Sequence, residues 1–316
     1  VKTLHFDGDL RFVRDAAIPR REDEALIEVI CAGICNTDLE ILKGYAAFRG
    51  TPGHEFVGRV AESPDASLIG RRVAGEINVG CGKCERCRAG DARHCPTRTV
   101  LGIHNRDGAF AEFLSLPARN LIPVPDSIDD LSAVFIEPLA AACHILDQVD
   151  IDSSSHVAVI GDGKLAQLIL LAIARAGCHL TVIGKHKEKL ELARKSGARA
   201  MLIKQTPEEK YDVVVEASGS REGLPLALKL VRPQGAIVLK STHHHTTEVD
   251  MSQAVVNEVS IIGSRCGRFL PAIELLSSGA IDVRPLISDS FPLEEGLEAF
   301  DKAAEPSSMK IIFRMV

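Results

Sequence analysis

Tryptophan is absent from the 316-residue chain and tyrosine occurs twice, so stacking platforms for single-stranded nucleic acid are scarce. Positive charge is not in excess either. The 37 lysines and arginines stand against 43 aspartates and glutamates, a formal net charge of -6. That balance argues against a polyanion partner, because binding to a phosphate backbone relies on clustered Lys and Arg. Long apolar runs are also missing: the longest, around Leu165 to Ala176, is interrupted by Gln167 and Arg175 and is too short to cross a bilayer. The opening Val1-Lys2-Thr3-Leu4-His5-Phe6-Asp7 lacks the basic-then-apolar order of a secretory signal. These absences leave a small-molecule ligand as the expectation, with no nucleic acid and no membrane.

What is present fits a globular enzyme. Apolar residues make up 46% and charged residues 25%, a soluble profile, and the length suits two unequal domains. The first 125 or so residues alternate short β-like runs, Ala25 to Ala32, Gly58 to Glu62 and Ala109 to Leu116, with Gly- and Pro-bearing turns. From His156 the pattern changes to strand His156–Ile160, helix Lys164–Ala176 and strand His179–Ile183, a βαβ unit. It continues through helix Lys187–Ser196, strand Asp212–Glu216, a helix near Glu222–Val231 and strands Ala236–Lys240 and Val259–Gly263. A doubly wound parallel sheet is the expected result. The helix-like Leu270–Ser278 and Glu294–Ala304 and the strand-like Lys310–Phe313 fit that sheet poorly. They are expected to return to the first domain, so that residues 1–128 and 268–316 form one domain and residues 129–267 form the other. The triplet His243-His244-His245 reads as a loop.

Nine cysteines are present, and four of them stand as Cys81-x2-Cys84-x2-Cys87-x7-Cys95. That crowding points to metal ligation in a reducing cytoplasm more than to a disulfide scaffold. Gly80, Gly82 and Gly90 give the backbone room to fold around one ion, and four thiolates can enclose zinc tetrahedrally at about 2.3 Å. A closed site of this kind is structural, since it keeps no position open for chemistry. The alternatives are a pair of disulfides or an iron–sulfur centre.

A second set of potential ligands is looser. Cys35 lies in Gly33-Ile34-Cys35-Asn36-Thr37-Asp38, and His54 with Glu55 follows in Gly53-His54-Glu55-Phe56-Val57-Gly58. A thiolate, an imidazole and a carboxylate suit zinc with a position left open. Taken one at a time, a buried core cysteine and a loop histidine are the plainer readings. Further on come Asp107-Gly108-x-Phe110-Ala111-Glu112 and Glu137-Pro138-Leu139-Ala140.

With these segments in this order, the chain resembles the zinc-containing medium-chain dehydrogenase/reductase family over nearly its whole length, in the manner of its polyol and threonine dehydrogenase branches. The resemblance implies an α/β protein: a GroES-like, mostly-β catalytic domain and a Rossmann dinucleotide-binding domain. It implies a catalytic zinc held by Cys35 and His54, a third ligand at Glu137, and a carboxylate at Glu55 that can exchange with water at the metal. It also implies hydride transfer between NAD(P) and a small secondary alcohol or polyol, with Thr37 carrying the alcohol proton away. Zinc would lower the pKa of the alcohol as it lowers that of water, to about 7. Where several relatives carry a histidine in the outer relay, this chain has Glu40. Relatives form homodimers or homotetramers, which is the expectation here as well. The alternatives are an inactive nucleotide-binding relative and a zinc-free quinone reductase-like enzyme. Tyr45, Phe48 and His104 are candidates to line the pocket.

The turn Gly161-Asp162-Gly163-Lys164-Leu165-Ala166 follows a strand and opens a helix. Its glycines let the backbone approach a pyrophosphate, and the helix N-terminus offers N–H groups to that charge. The next strand ends Val182-Ile183-Gly184-Lys185-His186, without the acidic residue that usually meets the ribose of NAD. With no carboxylate there, and with Lys185 and His186 to attract a 2′-phosphate, the sequence predicts a preference for NADP. Ala217 and Ser218, at the end of the strand Asp212–Glu216, match positions that face the cofactor in the family, and Arg314 resembles an arginine that contacts the pyrophosphate in some relatives.

Overall fold

The computed structural model describes residues 1–205, 208–242 and 246–315, so the histidine triplet lies outside the described residues. The chain divides into two compact units, Val1–Glu137 with Phe269–Val316, and Pro138–Arg268. The first cut falls nearer 137 than 128, because residues 128–135 pack against the mostly-β unit. Arg72 donates to the Ile128 carbonyl at 2.8 Å and to the Asp130 carboxylate at 2.6 Å, and Val134 and Phe135 are fully buried.

The mostly-β unit carries a seven-stranded sheet. Its path runs Ile287–Pro292, Lys310–Arg314, Ala25–Gly33, Glu55–Glu62, Arg72–Gly75 and Leu121–Pro123, with Phe113–Leu116 also paired to Ala25–Gly33. The central strand Ala25–Gly33 alternates little and is buried along most of its length, as a strand covered on both faces must be. In the C-terminal segment Ile312 pairs with Gly33. The expected strand Ala109–Leu116 begins only at Phe113. The preceding backbone is used elsewhere, since the N–H groups of Gly108, Ala109 and Phe110 donate to the carbonyls of Thr51, Gly53 and Pro52. Phe110 then anchors the core, edge-on to Phe313 at 5.0 Å and to Phe300 at 5.7 Å between centroids, a favoured aromatic arrangement.

The second unit is a six-stranded sheet in the order Arg199–Leu202, His179–Gly184, His156–Ile160, Tyr211–Glu216, Val231–Leu239 and Ser260–Gly263. Every neighbouring pair is parallel. Helices Lys164–Ile173, Lys187–Lys195 and Gly223–Leu230 connect these strands. The chain starts in the middle, winds outward one way and then returns to wind the other way, so the direction reverses between His156–Ile160 and Tyr211–Glu216. In such sheets ligands bind at that reversal, beyond the carboxyl ends of the strands. The strand interiors, Val157, Ala158, Val159 and Val213 to Val215, are buried β-branched or small residues, as parallel strands covered on both faces require.

Arg106 is the most deeply placed cation of the first unit outside the candidate site. It donates to both Glu24 carboxylate oxygens at 2.7 and 2.9 Å and to the Ser115 carbonyl at 3.1 Å. Burial alone would raise the Glu24 pKa, but Arg106 and Ser115 outweigh it and hold the carboxyl below its ordinary value. Arg106→Ala is expected to cost about 3 to 5 kcal/mol of unfolding free energy at neutral pH, measured by urea denaturation. A depressed folded pKa stabilises above the unfolded value and ceases to do so as pH falls through the folded one, so the difference from wild type should shrink in acid.

Candidate metal centre and dinucleotide turn

The antiparallel register of the central strands places Gly33 opposite Glu55, which brings the segment carrying Cys35 beside the segment carrying His54. Cys35 caps the helix Asn36–Leu42. Asp38, one turn into that helix and fully buried, joins the two segments. Its Oδ2 accepts from the Cys35 N–H at 2.8 Å and its Oδ1 from the Gly53 N–H at 3.3 Å. Gly53 has φ +98°, and a Cβ there would lie 2.6 Å from the Phe110 ring, so only glycine suits this approach to His54. The Asp107-Gly108-x-Phe110 motif therefore braces the histidine loop; Asp107 also accepts from the Thr51 N–H at 2.9 Å.

The donor atoms of Cys35, His54 and Glu55 all lie within 4.8 Å of one another. His54 and Glu55 are buried. His54 Nδ1 is 3.3 Å from Asp38 Oδ1 but is buried without a hydrogen bond. A carboxylate behind a ligating imidazole fixes the orientation of the ring. A thiol, an imidazole and a carboxylate converging in this way fit zinc. The electrostatics agree. Burial disfavours a charged His54, yet negative charge on Asp38 and on the Cys35 sulfur overcomes it and moves its pKa well upward, the mark of a negative field suited to a cation.

Two features were not visible in the motifs. Lys310, 1% exposed, pairs with Glu55, and its ammonium lies 5.6 Å from the Phe135 ring centroid. Burial works against its charge, but Glu55, Cys35 and Asp38 raise its pKa. Glu137, expected as the third ligand, is not part of the 4.8 Å cluster. Burial, together with the Glu137 charge, pushes the Glu76 pKa up to about 7. Thr37 Oγ1 lies 3.7 Å from Cys35 Sγ, and Glu40 pairs with Lys43. Phe48 is a core residue packed with Phe6 and Ile41, with Tyr45 at the margin of that cluster. The ring of His104 lies beside Asn105.

Cys81, Cys84, Cys87 and Cys95 also converge, with all four sulfurs within 4.8 Å of one another. The Cys81 N–H points at Cys95 Sγ and the Cys84 N–H at Cys81 Sγ, both at 3.4 Å. N–H groups aimed at sulfur favour thiolate: the Cys81 N–H and Thr97 bring the Cys95 pKa down to about 6. A Cβ on Gly80 would stand 2.6 Å from Cys87 Sγ, so glycine keeps the cage tight. This geometry fits a closed tetrahedral zinc.

In the second unit the residues expected at the dinucleotide stand at the carboxyl ends of three adjacent strands. Gly161, Asp162, Gly163, Lys164 and Leu165 follow His156–Ile160, Gly184 closes His179–Gly184 with Lys185 and His186 after it, and Ala217 and Ser218 follow Tyr211–Glu216. Gly161 has φ +119°, and a Cβ there would meet the Ala217 carbonyl at 2.5 Å, whereas a Cβ on Gly163 would meet nothing within 4 Å. A turn this open before the ten-residue helix Lys164–Ile173 fits a pyrophosphate on the helix N-terminus. Glu216, 4% exposed, accepts from the Ser218 N–H at 2.8 Å and shapes the third strand end. Lys240 spans carbonyls within the unit, donating to Ala141 at 2.7 Å and Arg265 at 2.8 Å. Arg314 donates to Ser290 at 3.2 Å.

Residues 21–126 match the alcohol dehydrogenase GroES-like domain, and residues 166–278 match the zinc-binding dehydrogenase domain. The chain is 32% identical to an L-threonine 3-dehydrogenase of Coxiella burnetii over 92% of this chain and 91% of that one. It belongs to the zinc-containing medium-chain dehydrogenase/reductase family. An alcohol dehydrogenase of Escherichia coli CFT073 solved with NADH superposes with a TM-score of 0.91 at 28% identity, covering 99% of each chain. A zinc-binding dehydrogenase of Sinorhizobium meliloti solved with NADP gives 0.89 at 27% identity, covering 99% of this chain and 98% of that one. This family member is a zinc- and NAD(P)-dependent alcohol dehydrogenase.

Asp38→Asn keeps the shape of that side chain but removes its charge. It is expected to release most of the metal at Cys35 and His54 while the four-cysteine site stays loaded, so plasma mass spectrometry after desalting should read close to one zinc per chain. Cys84→Ser is expected to lose the other zinc and to lower the melting temperature, while the Cys35 site remains loaded.

Proposed function

We propose that this dehydrogenase interconverts a small secondary alcohol, of the amino-alcohol or polyol class, with its ketone at a zinc held by Cys35, His54 and a carboxylate. The observation that carries the reading is the convergence of Cys35, His54 and Glu55 within 4.8 Å. When bound, zinc supplies the Lewis acidity that makes an alkoxide available at neutral pH, and the nicotinamide accepts the hydride.

The chain's own residues supply the rest. Asp38 holds the Cys35 and Gly53 backbones together and stands behind His54, which keeps the imidazole aimed. Glu55 is shared between the ligand cluster and Lys310, so the carboxylate can lean towards the metal or back to the ammonium, leaving room for an exchangeable water or substrate oxygen. Thr37 is the first proton carrier, with a hydroxyl two residues from the ligating thiolate. Glu40, partly exposed and paired with Lys43, stands where the outer relay would pass. Glu137 is the alternative carboxylate ligand. A secondary alcohol is favoured because threonine, the substrate in the name of the Coxiella relative, bears its hydroxyl on a secondary carbon.

Nine cysteines, four of them with converging sulfurs, suit a reducing cytoplasm. Among the described residues no helix is long and apolar enough to cross a membrane. A homo-oligomer is supported by the edge strand Ser260–Gly263, which ends the six-stranded path with Ile261 and Ile262 only partly covered, and by Val255 and Val256 at 74% and 80% exposure. A bare apolar edge strand is a pairing surface.

Cys35→Ala is expected to reduce turnover of a panel of secondary alcohols, polyols and amino alcohols by at least about a thousandfold and to lose one zinc per chain; full activity would contradict the assignment. Glu55→Gln should lower zinc occupancy at this site more than Glu137→Gln, and the reverse would make Glu137 the ligand. Ile261→Asp should shift the mass measured by light scattering towards that of a single chain.

A further inference from the structure

The strand His179–Gly184 ends on glycine, at the place where an acidic side chain usually meets the adenosine ribose of NAD. That space is filled from elsewhere. A Cβ built on Gly184 would collide with Asp162, 2.5 Å from Oδ2, 2.7 Å from Cβ and 2.8 Å from Cγ. Asp162 belongs to the glycine turn of the neighbouring strand, and its side chain reaches across to the end of this one. Its Oδ2 accepts from the backbone N–H groups of Lys185 and His186, both at 2.7 Å. His186 Nδ1 lies 3.1 Å from Oδ1.

We propose that Asp162 is the specificity-determining residue for the cofactor, supplying from the turn the carboxylate that Gly184 lacks and so favouring NAD over NADP. The proposal rests on the reading that this unit binds a nicotinamide dinucleotide at its strand ends.

Two physical effects act against a 2′-phosphate. The N–H groups of Lys185 and His186, at the start of the nine-residue helix Lys187–Lys195, are the donors such a phosphate would use, and Asp162 already occupies them. The carboxylate also sets a like charge beside the phosphate, and like charges a few ångströms apart repel strongly away from bulk water. The acid is ionised: although burial works against it, the bonds from His186 and Lys185 hold its pKa below the ordinary value. The ribose 2′-hydroxyl of NAD, by contrast, can donate to Oδ1, which has lone-pair capacity beyond the His186 contact. The sequence expectation of NADP rested on the missing acid after Ile183 and on Lys185 and His186. In the structure the acid is present, and His186 is engaged with it. Gly184 then has a reason of its own, since any side chain there would displace Asp162.

Binding of NADH and NADPH, followed by quenching of nicotinamide fluorescence at fixed ionic strength, tests this without turnover. The zinc-loaded enzyme is expected to bind NADH at least about tenfold more tightly than NADPH. Asp162→Asn keeps the shape and loses the charge, and should bring the ratio near one. Asp162→Gly should do the same, and adding Gly184→Asp to it should restore discrimination by returning the carboxylate to its usual strand. Circular dichroism and zinc content establish that each variant is folded. Wild type that binds both nucleotides equally, or NADPH more tightly, overturns the role of Asp162 and leaves the dinucleotide site standing. An unchanged ratio in Asp162→Asn overturns it as well. Failure to bind either nucleotide overturns the dinucleotide reading and this proposal with it.

Discussion

One buried carboxylate holds the catalytic half together. Asp38 accepts from the backbones of Cys35 and Gly53 and faces the His54 ring, so residues on two separate loops are set by a single side chain. The charge is tolerable in the interior because it is hydrogen-bonded and lies next to groups that carry or attract positive charge. Its energetic consequence reaches the metal. A site whose ligands are already converged loses little conformational entropy on binding an ion, whereas two independent loops would have to be ordered by the metal itself.

The second unit uses the same device. Asp162 ties the glycine turn to the end of the adjacent strand through two backbone N–H groups, and Glu216 does so within its own strand end through Ser218. In each case a carboxylate satisfies N–H groups that regular structure leaves without partners, as the groups at helix starts and strand ends are. The acid residues of this chain thus act as loop fasteners as well as chemical groups. Lys310 is the counterpart on the cationic side. Almost wholly buried and paired with Glu55, it offsets the negative charge of Glu55, Cys35 and Asp38.

The layout of the fold was legible because it is written locally. The βαβ alternation from His156 onward, the glycine turn and the four-cysteine spacing each lie within a few residues, and periodicity and spacing read such signals well. What could not be read depends on residues far apart in the chain. Lys310 meets Glu55 only because Ile312 and Glu55 both pair with Gly33 on the central strand. Glu137 matched a ligand position by motif order, but which carboxylate stands beside Cys35 and His54 is decided by packing. Asp162 was legible as part of the turn, yet nothing in its position told that its side chain fills the space left by Gly184. Ala109 to Glu112 had the composition of a strand, but the N–H groups of Ala109 and Phe110 were spent on the loop that carries His54, and Glu112 bonds Lys2 and Val29.

The central claim is that one metal ion is shared by a sulfur, an imidazole and a carboxylate that the Asp38 clamp brings together. Crystals of the zinc-loaded enzyme measured on both sides of the zinc absorption edge test it most directly. The account predicts two anomalous peaks per chain, one inside the four-cysteine cage and one in contact with Cys35 Sγ and a His54 ring nitrogen. A single peak, confined to the cage, from enzyme that is fully active would contradict it.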